Sequence, residues 1–261
     1  MLSEISKPEF DLTHPLLEDM AAGLGRIFPD GELLGFYLGG SIALGGFNPA
    51  TSDLDFVVIA RDVISSDQAV ALGAMHAAIR QADRNVLYRN HEGDYLTLEQ
   101  AQHPAPGIVC PHFGRDGHFA VEEHGSELVI DLWKVRRSGF AVYGPSPDEL
   151  VGFISQDSML AAKVSLFKGW WLPKLERREV MGAGYQAYAV QTMARIYYGI
   201  REKDEVSKRQ AAEWMASDQP QFAELLRAAT DWQKGLPFDR QEQVYELIGF
   251  VRDSIGIPAS G

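Results

Sequence analysis

Two aspartates separated by a single residue stand just ahead of a long apolar run. Asp53 and Asp55 flank Leu54, and apolar residues continue from there to Ala60. Because successive side chains of a strand point to opposite faces, the two carboxylates share one face if this segment is extended. Carboxylate oxygens are the ligands that Mg²⁺ prefers in proteins. The pair therefore predicts a divalent-metal site at the start of a buried strand.

A glycine-rich turn precedes this pair of acids. The apolar segment 33–38 runs directly into Gly39, Gly40 and Ser41. Glycines allow backbone N–H groups to approach a phosphate closely, and the Ser41 hydroxyl adds a further donor. Each motif alone is common, as a tight turn or as a solvated helix cap. Together, beside buried strands where unpaired acids are costly, they indicate a nucleotide-handling site.

The composition is that of a globular protein with one large or two modest domains. The 261 residues are 46% hydrophobic and 23% charged, and no apolar run approaches the length that spans a bilayer. No basic segment followed by an apolar core opens the chain, so no signal peptide is expected. A single cysteine, Cys110, excludes an intramolecular disulfide. We therefore expect a cytoplasmic protein without a membrane partner.

The charge balance argues against nucleic acid as a partner. Acidic residues outnumber basic residues 36 to 24, which gives a net charge of −12. Binding to a phosphate backbone requires clustered lysine and arginine. An acidic surface instead favours a cationic small molecule.

Apolar periodicity changes near residue 155. Before residue 155, apolar runs predict strands at 33–38 and 54–60. Helical spacing of apolar residues predicts helices at 14–28, 65–82 and 126–138. Segments 85–88, 95–98 and 140–145 are predicted as short strands, and the stretch 102–119, with its prolines and glycines, as a loop. Beyond it, only helical patterns remain, at 156–177, 185–201, 207–216, 219–234 and 240–254. We predict an α/β domain over residues 1–155 and an all-α helical bundle over residues 156–261.

The Gly-Gly-Ser and Asp-x-Asp segments together resemble the signature of the nucleotidyltransferase superfamily that shares the DNA polymerase β fold. The resemblance implies a mixed sheet in the N-terminal domain. It also implies that Asp53 and Asp55 bind two Mg²⁺ ions, while Gly40 and Ser41 position the β- and γ-phosphates of a nucleotide. Two metal ions can stabilise both the attacking and the leaving oxygens of an in-line displacement. A third acid from a neighbouring strand completes such a site.

Glu92 is the candidate third acid. The segment Glu92–Leu98 resembles the family segment in which a catalytic glutamate precedes an aromatic-aliphatic strand. That resemblance implies that Glu92 deprotonates the acceptor hydroxyl and contacts a metal ion. Asp94 shares its face if the chain is extended, so it is the second candidate. Asp131 is a weaker candidate, because its neighbours have helical spacing.

Two segments of the helical region narrow the resemblance. Gln186–Tyr198 and Val206–Trp214 are similar to the helical domain of the streptomycin/spectinomycin adenylyltransferases. This similarity implies that Arg195 and Lys208 face the nucleotide phosphates across an interdomain cleft, where a triphosphate needs positive charge. Spacing alone would instead favour a surface salt bridge for Arg195 and a solvated first-turn position for Lys208.

Tyr185 and Gln186 occupy the helix start at which members of this family contact the aminoglycoside. Some members have aspartate there, and a neutral glutamine attracts a cationic drug less strongly. The resemblance therefore makes both residues candidate substrate contacts.

A histidine-rich stretch separates the two groups of candidates. Its spacing matches no compact zinc-ligand pattern, so we predict histidines of a surface loop. The residues are His103, Cys110, His112, His118 and His124.

The sequence thus predicts Mg²⁺-dependent transfer of AMP from ATP to a hydroxyl of an aminoglycoside or aminocyclitol antibiotic of the streptomycin or spectinomycin type, releasing pyrophosphate. We expect a monomer or weak dimer. Alternatives are the same chemistry on a metabolite, protein or tRNA acceptor, as in toxin–antitoxin relatives, and an inactive nucleotide-binding module. The acidic balance disfavours tRNA, and the intact set of Asp53, Asp55 and Glu92 disfavours the inactive module.

Overall fold

The computed structural model describes residues 10–48 and 52–257. The chain forms two compact units, which divide between Ile154 and Ser155. Within the described ranges, no helix combines the length and the apolar character needed to cross a membrane.

The first unit is built on a six-stranded sheet with the strand order β5-β4-β3-β2-β1-β6. The central strands β2 and β3 run parallel, and every other neighbouring pair is antiparallel. The sheet is therefore mixed, as the resemblance implies. The strands are β1 (Leu33–Leu38), β2 (Leu54–Ala60), β3 (His91–Thr97), β4 (Ile108–Phe113), β5 (Phe119–His124) and β6 (Phe140–Tyr143).

Six α-helices of the described ranges accompany this sheet. They are α1 (His14–Ile27), α2 (Gly40–Ala43), α3 (Ser66–Ala82), α4 (Leu98–Gln102), α5 (Ser126–Ser138) and α6 (Pro147–Leu150).

Helices α1 and α3 share a hydrophobic core with one face of the sheet. Leu16 of α1 and Leu72 of α3 are fully buried with Phe56 of β2. Alternation along β2 places Phe56 on this face and turns the neighbouring Asp55 away from it. A capping box between Ser65 and Gln68 fixes the start of α3 by pairing backbone N–H groups that would otherwise lack partners. The core therefore sets the orientation of the strand that carries the acids.

A polar chain of three side chains crosses this apolar core. His91 Nδ1 lies 3.1 Å from the Leu87 carbonyl, which can only accept, so Nδ1 is the protonated nitrogen. His91 Nε2 then accepts from His76 Nδ1 at 3.0 Å, and His76 Nε2 accepts from the Tyr95 hydroxyl. Burial lowers the pKa of His76 well below its usual value, with the His91 charge adding to the effect, and lowers that of His91 to about 4. Both imidazoles are therefore neutral and fully paired.

Two sequence predictions in this unit are wrong. Segment 85–88 is not a strand, because a 3-10 turn spans Val86–Tyr88 after the Asn85 side chain accepts from the Leu87 N–H. The predicted loop 102–119 contains β4 and leads into β5, which form a hairpin. Pairing with adjacent strands stabilises this hairpin, and a local count of prolines and glycines cannot detect that contribution.

The second unit is helical throughout its described residues, as predicted. Its α-helices are α7 (Gln156–Leu166), α8 (Leu172–Arg177), α9 (Ala183–Glu202), α10 (Lys208–Asp218), α11 (Ala223–Asp231) and α12 (Gln241–Ser254). A π-helical turn, Phe167–Trp171, joins α7 to α8. The long helix α9 packs against α10, α11 and α12, and Val190 and Met193 are fully buried in their common core.

Candidate active site

Three carboxylates meet where β2 and β3 begin. Asp53 directly precedes β2, and Asp55 and Glu92 are register partners on the parallel strands. One oxygen from each of the three carboxylates lies within 4.8 Å of the others. Strand alternation thus brings the two aspartates together, and parallel pairing adds the glutamate. We call Asp53, Asp55 and Glu92 the acidic trio.

The three carboxylates of the acidic trio resist full ionisation. Burial, followed by the charges of Asp53 and Glu92, raises the pKa of Asp55 to about 8. Burial and the charge of Asp53 also raise the pKa of Glu92, and Arg115 and His112 oppose that rise. Buried carboxylates in close contact are costly unless a cation compensates them. The donor set and its charge therefore fit a hard divalent cation such as Mg²⁺.

The Gly-Gly-Ser turn contacts the acidic trio directly. The Gly39 N–H donates to the Asp55 carbonyl at 2.9 Å. Gly40 has a φ of +54°, and a Cβ at this residue would overlap the Asp55 carboxylate. The Ser41 hydroxyl is buried and has no hydrogen-bond partner among the described residues. An unpartnered buried hydroxyl is costly, so Ser41 is suited to a ligand that supplies an acceptor, such as a phosphate.

Arg115 is a candidate that sequence reasoning missed. It lies in the turn between β4 and β5, and its guanidinium Nη1 is 3.0 Å from Asp53 Oδ2. Half of the Arg115 side chain is exposed, which leaves it accessible to a further anion. No local motif marks this arginine. Only the hairpin, which was predicted as a loop, brings it to the acids.

The alternative third acids are engaged elsewhere. The Asp131 carboxylate on α5 accepts from Lys134 Nζ at 2.6 Å. Asp94 Oδ1 lies 2.7 Å from His112 Nδ1 and 3.5 Å from His124 Nε2. Glu92 is the one of these three candidates that shares the cluster with Asp53 and Asp55.

The prediction of surface-loop histidines is only partly right. His103 and His118 are exposed, but His124 is buried at 6% exposure and His112 is half-buried. The reason is the hairpin, because strand alternation turns His112 and His124 toward Asp94. Cys110 is also buried, on β4.

In the second unit, Arg195 is held by a buried acid. Glu205, with a side chain only 1% exposed, forms ion pairs with Lys163 Nζ and, at 3.7 Å, with Arg195 Nε. Lys208, at the start of α10, has its Nζ 5.5 Å from the centre of the Tyr188 ring. Arg195 is therefore fixed by a network, where spacing alone predicted an ordinary surface pair.

Tyr185 and Gln186, near the start of α9, differ in how accessible they are. The Tyr185 hydroxyl accepts a hydrogen bond from Trp170 Nε1 at 2.7 Å on an exposed part of the surface. Gln186 is buried; its Nε2 donates to the Met181 carbonyl at 2.7 Å, and its Oε1 accepts from the Arg240 N–H at 2.9 Å. The Gln186 amide thus joins two chain segments, and Tyr185 is the more accessible of the two.

Comparison with known proteins gives a family match in the second unit and structural matches over most of the chain. Residues 169–254 match the sequence model of the aminoglycoside adenylyltransferase C-terminal domain, which confirms the resemblance drawn from segments 186–198 and 206–214. The crystal structure of spectinomycin adenyltransferase AAD(9) from Enterococcus faecialis with ATP and spectinomycin has a TM-score of 0.73 at 16% identity, over 92% of this chain and 98% of that one. At this identity the likeness shows the fold.

A second structural match is much weaker. A toxin-antitoxin structure with AMP-PNP covers 60% of this chain and 91% of its own at 15% identity, with a TM-score of 0.29 that is too low to support any argument. No curated protein is significantly similar to the chain.

Proposed function

We propose that this chain, which carries the C-terminal domain of the aminoglycoside adenylyltransferase family, transfers AMP from ATP to a hydroxyl group of an aminoglycoside or aminocyclitol antibiotic and releases pyrophosphate. The observation that carries the proposal is the acidic trio in contact with the Gly-Gly-Ser turn. In this proposal residues 1–155 form the nucleotidyltransferase domain, and residues 156–261 form the helical domain.

The acidic trio is the proposed Mg²⁺ site. Asp53, Asp55 and Glu92 offer three carboxylates within 4.8 Å, and burial together with the charges of Asp53 and Glu92 raises the pKa of Asp55. When bound, Mg²⁺ would neutralise triphosphate charge and stabilise the oxygens of the displacement. The donor set and the charge both support this assignment.

Glu92 is the proposed general base. Its carboxylate accepts the proton of the acceptor hydroxyl as that oxygen attacks the α-phosphate. Burial and the charge of Asp53 raise the pKa of Glu92, which makes the carboxylate a better proton acceptor than a solvated glutamate. Its place beside Asp55 on the parallel strand keeps it at the metal site.

The remaining candidates bind and orient the substrates. Ser41 donates its hydroxyl to a phosphate oxygen, and the missing Cβ of Gly40 leaves room for Asp55. Arg195 and Lys208 supply positive charge to the triphosphate, which a chain of net charge −12 otherwise lacks. Tyr185 contacts the acceptor, and the buried Gln186 supports the start of the same helix through its hydrogen bonds.

The acceptor class follows from charge and from the family. A chain with 36 acidic and 24 basic residues attracts cationic molecules such as amino sugars. Spectinomycin is bound in the AAD(9) structure that shares this fold, and spectinomycin and streptomycin are therefore the first acceptors to test.

The proposal is tested by following pyrophosphate release from Mg·ATP with a panel of aminoglycosides and aminocyclitols. We expect release with streptomycin or spectinomycin, and its loss in Asp55→Asn. The matched control is Asp62→Asn, which alters an exposed aspartate beyond the end of β2 and leaves the rate within about twofold. ATP binding without release for any drug would contradict the antibiotic assignment, and an active Asp55→Asn variant would contradict the metal assignment.

A further inference from the structure

A second cluster of ligating side chains lies on the same sheet, separate from the acidic trio. Asp94 of β3 and His112 of β4 are register partners, so their side chains share a face. His124 ends β5, the next strand of the hairpin. One ligand atom from each of Asp94, His112 and His124 lies within 4.8 Å of the others.

The geometry around the Asp94 carboxylate leaves one imidazole nitrogen without a hydrogen bond in the part of the chain that the structure describes. Asp94 Oδ1 is 2.7 Å from His112 Nδ1, which is a normal charge-assisted hydrogen bond. His124 Nε2 is directed to the same oxygen, but at 3.5 Å, and makes no hydrogen bond with any described residue. The two rings are 5.2 Å apart and inclined at 61°, so they do not stack in parallel.

His124 Nε2, which makes no hydrogen bond within the described ranges, is also buried. His124 is 6% exposed, and a polar nitrogen that has lost water without gaining a partner destabilises the folded chain. The Asp94 oxygen could accept from both imidazoles, but the 3.5 Å ion pair with His124 is too long for a good hydrogen bond. A bound cation between the three groups would satisfy all of them.

We propose that Asp94, His112 and His124 bind one transition-metal ion of the Zn²⁺ class. Two imidazole nitrogens and one carboxylate oxygen are a donor set typical of Zn²⁺, whereas Mg²⁺ prefers oxygen ligands only. Three protein ligands leave a fourth position for water. The acidic trio, with oxygen donors alone, keeps its preference for Mg²⁺.

The ion joins three neighbouring strands through their side chains. It links the β4–β5 hairpin to β3, the strand that carries Glu92. The turn of the same hairpin carries Arg115, which contacts Asp53. The ion therefore stabilises the part of the first unit that holds Arg115 beside the acidic trio.

The test is a Zn²⁺ titration of the full chain by calorimetry after chelator treatment, without nucleotide, together with the absorption spectrum of the Co²⁺-substituted protein. We expect one ion per chain, a Co²⁺ absorption spectrum typical of an ion with a low coordination number, and a higher melting temperature with Zn²⁺. His124→Gln and His112→Gln each weaken binding at least about tenfold and abolish the Zn²⁺-dependent rise in melting temperature.

Matched controls separate this cluster from other Zn²⁺ ligands. His103→Gln and His118→Gln alter exposed histidines of the same region and leave Zn²⁺ affinity unchanged. Asp53→Asn removes a carboxylate of the acidic trio and also leaves Zn²⁺ affinity unchanged. If the histidine variants fail to fold, the Co²⁺ spectrum of the unaltered chain still reports whether imidazole ligands are present.

Three results would overturn the proposal. The first is a wild-type chain that binds neither Zn²⁺ nor Co²⁺ with defined stoichiometry. The second is a folded His124→Gln variant that binds Zn²⁺ as tightly as the wild type. The third is loss of Zn²⁺ binding in Asp53→Asn, which would place the ion at the acidic trio.

Discussion

At the scale of single residues, only a glycine at position 40 leaves room for the Asp55 carboxylate. Gly40 adopts a φ of +54°, a region that costs other residues about 1–2 kcal/mol. The Asp55 carboxylate fills the volume that a Cβ would take. The Gly-Gly-Ser turn thus needs a glycine at position 40 for two independent reasons, its backbone conformation and the room for the Asp55 carboxylate. Only the second reason concerns the acidic trio.

Gly40→Ala and Gly45→Ala separate these two reasons. Gly45 has a φ of +66° but no atom within 4 Å of the position that its Cβ would take, so its substitution adds strain alone. We expect each variant to lose about 1–2 kcal/mol of unfolding free energy from the backbone conformation. Gly40→Ala additionally displaces Asp55 and loses adenylyl transfer, while Gly45→Ala retains it. Parallel urea unfolding and activity assays check this, and equal activity of the two variants would show that the Gly40–Asp55 contact is unimportant.

At the scale of elements, the strands β1 and β2 and the longer helices were predictable because each is marked by its own apolar period, whereas the short helices α4 and α6 were not predicted. The β4–β5 hairpin was not, since Pro111 lies within β4 and glycines occupy its turn. Its stability depends on pairing with β3, which is remote in sequence. For the same reason Arg115 and the Asp94–His112–His124 cluster escaped prediction, whereas Asp53 and Asp55 did not. Glu92 was reachable only through a family resemblance, because parallel register is not visible locally.

Helix α3 and strand β3 are joined by a pH-sensitive contact. Because burial lowers the pKa of His76 well below 6.5, the folded chain keeps it neutral where the unfolded chain protonates it. The unfolded state binds more protons below pH 6.5, so stability is full above that pH and is lost as the pH falls. We expect His76 to lower the free energy of unfolding by up to about 1.4 kcal/mol for each unit by which the pH falls below 6.5. Urea unfolding of the wild type and of His76→Phe at pH 7, 6 and 5 measures it as the difference between the two pH slopes, because the raised pKa of Asp55 adds the same opposite slope to both chains. Exposed His103→Gln is the control and keeps the wild-type slope; equal slopes of the wild type and His76→Phe would contradict the neutral core pair.

Helices α7 and α9 are tied by a buried charge network around Glu205. Glu205→Gln leaves Lys163, 3% exposed, without its carboxylate and weakens the hold on Arg195. We expect a loss of about 3–5 kcal/mol of stability, because a buried charge loses its counter-ion. Glu202→Gln, an exposed neighbour on α9, changes stability by less than about 0.5 kcal/mol.

Calorimetric melting of the two variants provides the measurement. The double variant Lys163→Met, Glu205→Leu removes both charges and recovers most of the stability lost in Glu205→Gln. If Glu205→Gln has the same melting temperature as the wild type, the network does not stabilise this unit.

At the scale of the whole molecule, the two units contribute different kinds of information. The second unit carries the family match over residues 169–254, and the first carries the acidic trio and the Gly-Gly-Ser turn. For the proposed acceptor, composition disfavours only polyanions, because a net charge of −12 repels them. The identity of the acceptor depends on the shape and polarity of a pocket, which charge counts do not describe.

Adenylyl transfer to the drug is read directly from the mass spectrum of the drug after reaction. Streptomycin and spectinomycin are incubated separately with Mg·ATP and the full chain. We expect that one of them gains a single AMP group, with one pyrophosphate released per drug, and that Asp55→Asn yields no product above the enzyme-free control. A chain that binds ATP yet leaves both drugs unmodified, or an Asp55→Asn variant as fast as the wild type, would contradict this expectation.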